Sequence, residues 1–170
     1  GKMLTSTGAA VPGSNVLVRN ESSAQTQQWR LTPASFSLTG SSVLDKYVLN
    51  VVEVNSKDLR KCFNWMSKLG HVQALDGNVH YGIMSKSVTT HYALAAARRG
   101  VADCYGDAAL FTWLARACGY SANMRCGGCP SAGGGVVPHG WTEVYINGTT
   151  YVCDPNLRRD LPSYNWYMNL

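Results

Sequence analysis

Gly100-Val-Ala-Asp103-Cys104-Tyr105-Gly-Asp-Ala-Ala-Leu-Phe-Thr-Trp-Leu-Ala-Arg-Ala-Cys118-Gly119 is the stretch on which the fold turns. Asp103 is a favoured N-cap residue, which predicts a helix beginning at Cys104, and Gly119 stops it just past Cys118. Ala108, Ala109, Leu110, Phe111, Trp113, Leu114, Ala115 and Ala117 surround its axis and leave Thr112 and Arg116 as a narrow polar edge. A helix apolar nearly all round belongs at the centre of a core. Its first residue is a thiol, which meets unpaired backbone N–H groups and the positive end of the helix dipole. Both favour thiolate over thiol, and the same amides can hold a developing oxyanion. An inert buried cysteine is the plain alternative for any single Cys. Placement at the helix start, after a glycine-containing turn, is what argues for reactivity.

Downstream of Gly119, residues 120–126 read as a strand, and 141–147 with 149–154 read as a hairpin. Asn147-Gly148 is the strongest two-residue turn signal in the chain and favours type I′ geometry. If Ile146 faces Thr149, the register places Trp141 opposite Asp154, and His139 lies two residues before Trp141 on the same sheet face. Asp154 and His139 then become diagonal neighbours across the strands, so the carboxylate can accept an imidazole N–H and orient the ring. The same register sends Cys153 to the opposite face. A lone His or Asp at a strand end is ordinarily a satisfied surface residue; the shared face argues otherwise here.

Upstream, 43–54 is β-branched enough to predict a strand. Asn55-Ser56-Lys57-Asp58 then caps an amphipathic helix through Leu59, Cys62, Phe63, Met66 and Leu69, stopped by Gly70, with Cys62 a core residue. Residues 71–87 are irregular, with turn signals at Gly77-Asn78 and Gly82. Thr89 or Thr90 caps a short helix from His91 to Arg99, closed by Gly100. Residues 1–42 form a Ser-, Thr-, Gln- and Gly-rich lead-in with one or two short strands, at apolar stretches such as Val16-Leu17-Val18 and Trp29-Arg30-Leu31. Gln25, Gln27 and Gln28 read as a solvated loop rather than as acyl donors. Residues 43–170 are expected to form the domain that carries the chemistry, and the chain as a whole is expected to be one domain of α+β class: a buried helix packed on an antiparallel sheet.

Composition narrows the function classes. The chain of 170 residues is 45% hydrophobic and 15% charged, with net charge +5 spread over single positions. It can build a core without disulfides or a metal. The scattered charge argues against a nucleic-acid surface, and no apolar stretch reaches the ~18 residues of a membrane span. Gly1-Lys2-Met3 reads as an expression remnant rather than a signal peptide. Asn20-Glu-Ser and Asn147-Gly-Thr fit the glycosylation acceptor pattern but carry little weight in a chain this long. If Cys104 of the six cysteines is a nucleophile, five remain, so at most two bridges form within one molecule.

Gly100-x-x-x-Cys104 opening an Ala- and Leu-rich helix that ends Ala-Cys-Gly-Tyr, then His139-x-Trp141-x-Glu-Val, then Tyr151-x-x-Asp154-Pro, together resemble the transglutaminase-like superfamily in its bacterial branch. The match is good over about 88–157 and weak over the preceding helix. The resemblance implies a papain-like core with Cys104 as nucleophile, His139 as base and Asp154 as the acid that orients the base. It spans transglutaminases, peptidases, peptide N-glycanases and inactive relatives, so it does not choose a substrate. Cys126-Gly-Gly-Cys129 and the glycine-rich loop to Gly135 depart from the simpler connection expected there. They read as a disulfide staple or as a plain turn in a mobile flap, ahead of a zinc site, which would need Cys118 or another residue to join, and of a redox centre.

The expected function is cysteine-dependent acyl transfer on peptide or carboxamide bonds through a thioester. Hydrolysis is favoured over crosslinking because a glycine-rich flap leaves the cleft open to water. The other readings are a protein-glutamine transglutaminase, a non-catalytic interaction domain, and a Cys126/Cys129 zinc or redox module. Trp141, Tyr105, Gly134 and Gly135 are candidate substrate-binding residues, and Gln73, His91 and Tyr92 are candidates by type for the oxyanion hole. No cofactor and no metal are expected. The expected partner is a peptide or protein substrate, cell-wall or surface associated, with a secreted or cell-surface location; oligomeric state and disulfide connectivity are left open.

Overall fold

The computed structural model describes residues 2–6, 16–20, 37–66, 68–76, 78–131 and 133–170. Two compact units emerge, Gly1–Phe36 and Ser37–Leu170. In the smaller, β1 (Lys2–Ser6) pairs antiparallel with β2 (Val16–Asn20), Leu4 opposite Val18. Trp29, Leu31, Gln25, Gln27 and Gln28 lie outside the described residues. Ser37 and Thr39, counted with the lead-in on sequence, belong to the larger unit: both hydroxyls donate to the buried Asp45 carboxylate, at 2.7 Å each.

The first element of the larger unit corrects the sequence reading. Residues expected as a strand form α1 (Ser42–Val54), N-capped by Ser41, whose hydroxyl accepts from Leu44 N–H. Leu44, Val48, Val51 and Val52 are buried while Val43, Leu49 and Val54 are exposed, a helical and not an alternating pattern. β-propensity is a weak preference that packing of one apolar stripe overrides. Asp58 follows, its carboxylate accepting from Lys61 N–H, and opens α2 (Leu59–Met66), which buries Leu59, Cys62, Phe63 and Met66. β3 (Gly70–His71) is next; its parallel partner is β5 (Val101–Ala102). Between them come β4 (Gly82–Ile83) and α3 (Lys86–Arg99).

Helix α3 begins at Lys86 rather than His91, because Ser85 supplies the cap that Thr89 and Thr90 were expected to give. Both threonines instead sit inside the helix and donate to carbonyls, Thr89 to Ser85 O and Thr90 to Thr39 O. Gly100 closes α3 in the left-handed conformation, as expected of a helix-terminating glycine.

α4 (Cys104–Ala117) runs through the core, with Ala108, Ala109, Leu110, Phe111, Leu114 and Ala115 fully buried. Thr112, expected on a polar edge, is buried as well. Its hydroxyl donates to Ala108 O at 2.8 Å and meets the Thr142 hydroxyl at 3.1 Å, a polar tie between helix and sheet.

The sheet runs β4-β6-β7-β8 and is antiparallel throughout, built from β6 (Ser121–Pro130), β7 (Val136–Ile146) and β8 (Thr149–Cys153). β6 corrects the flap expected over 127–135. Gly127 to Pro130 continue the strand and pair with Val136 to His139, leaving only the turn beyond them irregular. Glycine is required by close approach: a Cβ at Gly127 would lie 2.9 Å from the Trp141 ring, and one at Gly128 2.4 Å from Val136. Ile146 faces Thr149 and Thr142 faces Cys153, the register expected, with Asn147 at φ 50° and Gly148 at φ 80°. Cys153 is buried on the α4 side of the sheet, opposite Thr142.

The chain does not end its ordered structure at Asp154. That residue N-caps α5 (Pro155–Asp160), with its Oδ1 accepting from Leu157 N–H at 2.9 Å and Pro155 at the first helical position. The C-terminal segment then returns along β8, where Asp154 N–H donates to Trp166 O and Val152 pairs with Asn169.

Candidate functional site

Asp103 fixes the start of α4. Its Oδ1 accepts from Gly106 N–H at 2.8 Å, and its Oδ2 from Leu75 N–H at 2.7 Å. One buried carboxylate therefore caps the helix and pins the loop that crosses it. Helix geometry leaves the N–H groups of Cys104 and Tyr105 with no intrahelical acceptor, since the first such bond runs from Asp107 N–H to Asp103 O. Cys104 itself is partly exposed.

Strand β7 delivers His139 to the same end of α4. Gly140 packs directly on it: a Cβ there would lie 2.8 Å from the Tyr105 ring and 3.4 Å from Cys104 O. His139 Nε2–H donates to Asp154 Oδ2 at 2.6 Å, with both residues buried. The diagonal pairing expected from the turn register is thus present. Asp154 uses its other oxygen to cap α5, so the carboxylate that holds the imidazole is itself held from behind. Cys104 lies near enough to His139 to help hold the proton on its ring. With Nε2 committed to Asp154, Nδ1 is the nitrogen left for the thiol. Burial pulls the imidazole pKa down, but the hydrogen bonds and charges of Asp154 and Cys104 outweigh it and raise the value to about 10.

A cleft of about 490 Å³ opens beside Cys104, lined by Gln73, Asp76, Val79, Tyr105, Val137 and Pro138 among others. Of the residues proposed for the oxyanion hole, Gln73 lines this cleft. His91 sits outside it, largely exposed and 3.7 Å from Asp76, and Tyr92 is buried with its hydroxyl donating to Asp76 at 2.9 Å. Tyr105 contributes to the cleft wall and accepts His80 N–H at its hydroxyl. Trp141 lies over Gly127 and stacks on His139, ring centroids 6.5 Å apart at 24°. Gly134 and Gly135 lie at the β6–β7 turn with φ of +85° and +80°, four to five residues along the chain from His139.

Cys126 and Cys129 do not form the module considered for them. Both are on β6, three residues apart, so they point to opposite faces with Cα atoms roughly 10 Å apart, beyond disulfide reach and unable to converge on one metal. Cys126 faces inward near Cys104, and burial with the neighbouring charges of Cys104 and Asp103 pushes its thiol up to about 12.

One support was not foreseen on sequence. Asp107, one turn after Cys104 and fully buried, is ion-paired with Arg159 and accepts from Asn156 Nδ2 at 3.4 Å. This ties α4 to α5 and so to Asp154. Burial raises the Asp107 carboxyl to about 6 against the opposing pull of Arg159. The signal available was Asp154-Pro155 itself, an N-cap followed by the residue favoured at the first helical position.

Residues 55–166 match the Transglutaminase-like superfamily. The chain belongs to that superfamily. Its α+β architecture, with the helix carrying Cys104 against an antiparallel sheet carrying His139, is a transglutaminase-like fold. Among solved structures it is similar to a protein provisionally assigned as a cysteine protease from Cytophaga hutchinsonii. That comparison has 16% identity and TM-score 0.48, covering 66% of this chain and 37% of the other. It is also similar to a TGase at 17% identity and TM-score 0.46, covering 66% and 31%. The chain thus spans about a third of the length of each. No curated protein matches it at a significant level. Transglutaminase-like proteins are a superfamily of cysteine-dependent enzymes, which supports an enzymatic role here. Among the described residues no helix is long and apolar enough to cross a membrane.

Proposed function

We propose that the protein is a cysteine-dependent acyl-transfer enzyme that cleaves peptide or carboxamide bonds, with Cys104 as nucleophile, His139 as base and acid, and Asp154 as the group that orients His139. The observation that carries this reading is His139, held by Asp154 at 2.6 Å, brought by the neighbouring Gly140 against Cys104 and Tyr105 at the start of a buried helix. The imidazole, its pKa raised to about 10, stands as a cation beside the Cys104 sulfur at neutral pH. The thiolate attacks the carbonyl carbon, and the oxyanion is received by the amides of Cys104 and Tyr105 with Gln73 as the side-chain donor. The imidazolium gives its proton to the leaving amine, and a thioester forms. Water, deprotonated by the now neutral His139, attacks the thioester and releases the acid. Cys104 is partly exposed and its cleft is open, which favours water as the second nucleophile.

The test is incubation with peptide libraries, with and without a primary amine, read by mass spectrometry. Hydrolysis products that appear in both arms and vanish with Cys104→Ala support the reading. Amine incorporation in place of hydrolysis would convert it to a transglutaminase. Gln73→Ala is expected to lower kcat by about 10²–10³-fold, as loss of one oxyanion donor does.

A further inference from the structure

Cys62 and Cys118 are remote in sequence, 56 positions apart, yet their sulfurs lie 4.0 Å from each other. Cys62 is on α2 and fully buried; Cys118 is the C-cap of α4 and partly exposed. We infer that this pair is a disulfide-forming site, oxidised by thiol–disulfide exchange with a small-molecule disulfide such as oxidised glutathione, and that the resulting bridge locks α2 to the end of α4.

Four observations single out this pair. Side chains bonded at about 2.05 Å are reached from a 4.0 Å contact by modest side-chain rotation of two residues that already face each other. Cys126 and Cys129 are kept apart by strand geometry, and Cys153 is fully buried opposite Thr142, its sulfur accepting Met168 N–H at 3.4 Å. Cys104 is at the opposite end of α4 from Cys118. The two thiols are also unequal in a useful sense. The hydrogen bond from Cys62 holds the Cys118 thiol below its usual range despite partial burial, whereas that bond and burial push Cys62 up. The more acidic thiol is the one solvent can reach.

The order of events follows. Cys118 thiolate attacks one sulfur of the oxidised glutathione, forming a mixed disulfide and expelling one glutathione thiolate. That thiolate takes up the proton lost by Cys62, whose sulfur then attacks Cys118 Sγ and expels the second glutathione. Two protein thiols are oxidised to one disulfide while one glutathione disulfide is reduced to two thiols. The bridge closes a long loop, so the oxidised protein is expected to melt about 5–15 °C higher.

The experiment is oxidation of the native full chain with oxidised glutathione, then denaturation, alkylation of remaining thiols, and tryptic digestion without reductant. The expected product joins peptide 62–68 to peptide 117–125, with a mass two hydrogens below their sum, and the melting temperature rises in the native protein. Cys118→Ser must abolish both, and Cys62→Ala should do the same. Glutathione retained on Cys118, Cys118 joined to another cysteine, or both thiols alkylated after oxidation would each overturn the inference. None of these outcomes depends on whether Cys104 is a nucleophile.

Discussion

Cys104 and Cys118 sit at the two ends of one helix and are both partly exposed, yet their surroundings differ in kind. At the first end the dipole is positive, the cap is Asp103, and the neighbour is an imidazole held by a carboxylate. At the other end the dipole is negative and the neighbour is a second thiol. The thiol alone decides little. What stands beside it is the ground for the carbonyl chemistry proposed at one end and the sulfur chemistry proposed at the other.

The contrast can be broken most directly at the thiols. His139→Gln is expected to slow iodoacetamide alkylation of Cys104 by about 10–10²-fold at neutral pH, since a free thiol is still a few per cent thiolate there. Cys104→Ala should abolish hydrolysis, whereas Cys118→Ser should leave it within about twofold. Peptide mapping after brief alkylation and a steady-state assay check both ends at once. Equal losses in Cys104→Ala and Cys118→Ser would erase the distinction.

Next in size is the support behind Asp154. Arg159→Ala leaves the Asp107 carboxylate buried without its cation, which is expected to cost about 3–5 kcal/mol and to appear as a large fall in melting temperature. The Cys62–Cys118 end should be perturbed less, as hydrogen exchange of α2 and α5 would show.

Gly140→Ala sharpens the comparison from the sheet side. A methyl group 2.8 Å from the Tyr105 ring must push β7 off the start of α4, carrying His139 from Cys104. A displacement of about 1 Å is expected to cost about 10²-fold in kcat, with oxidation at Cys118 unchanged.

The pH dependence is smaller. The folded pKa of His139, about 10, lies above the unfolded value near 6.5, so its contribution to stability is full below about pH 6.5 and is lost as pH rises through 10. Melting temperature should fall by several degrees between pH 7 and 10, and this component of the fall should be absent in His139→Gln. The smallest effect belongs to the turn: Gly148→Ala, at φ +80°, is expected to cost about 1 kcal/mol, seen in urea titration.

Much of the site was legible because its signals are local. Asp103 before an apolar helix announced the cap, and Asn147-Gly148 announced the turn whose register carries His139 to Asp154. The misreadings share a cause. Val48, Val51 and Val52 favour a strand as isolated residues, but α1 has one face to bury and a Ser41 cap. Gly127 and Gly128 read as flexible because the reason for each, the Trp141 ring and the Val136 side chain, lies on the partner strand. Asp154-Pro155 carried a helix start that the hairpin reading passed over.

By itself the sequence determined the central helix, the thiol at its start, the hairpin and its register, and the order of the three chemical groups. All depend on neighbours within a few residues or on the twofold alternation of a strand. Tertiary structure alone decided that Gln73 lines the cleft, that Arg159 and Asp107 brace α5, and that Cys62 meets Cys118. The two side-chain pairs join positions 52 and 56 residues apart. No local propensity encodes them; they form because burying α4 on every side brings the surrounding elements within reach of one another.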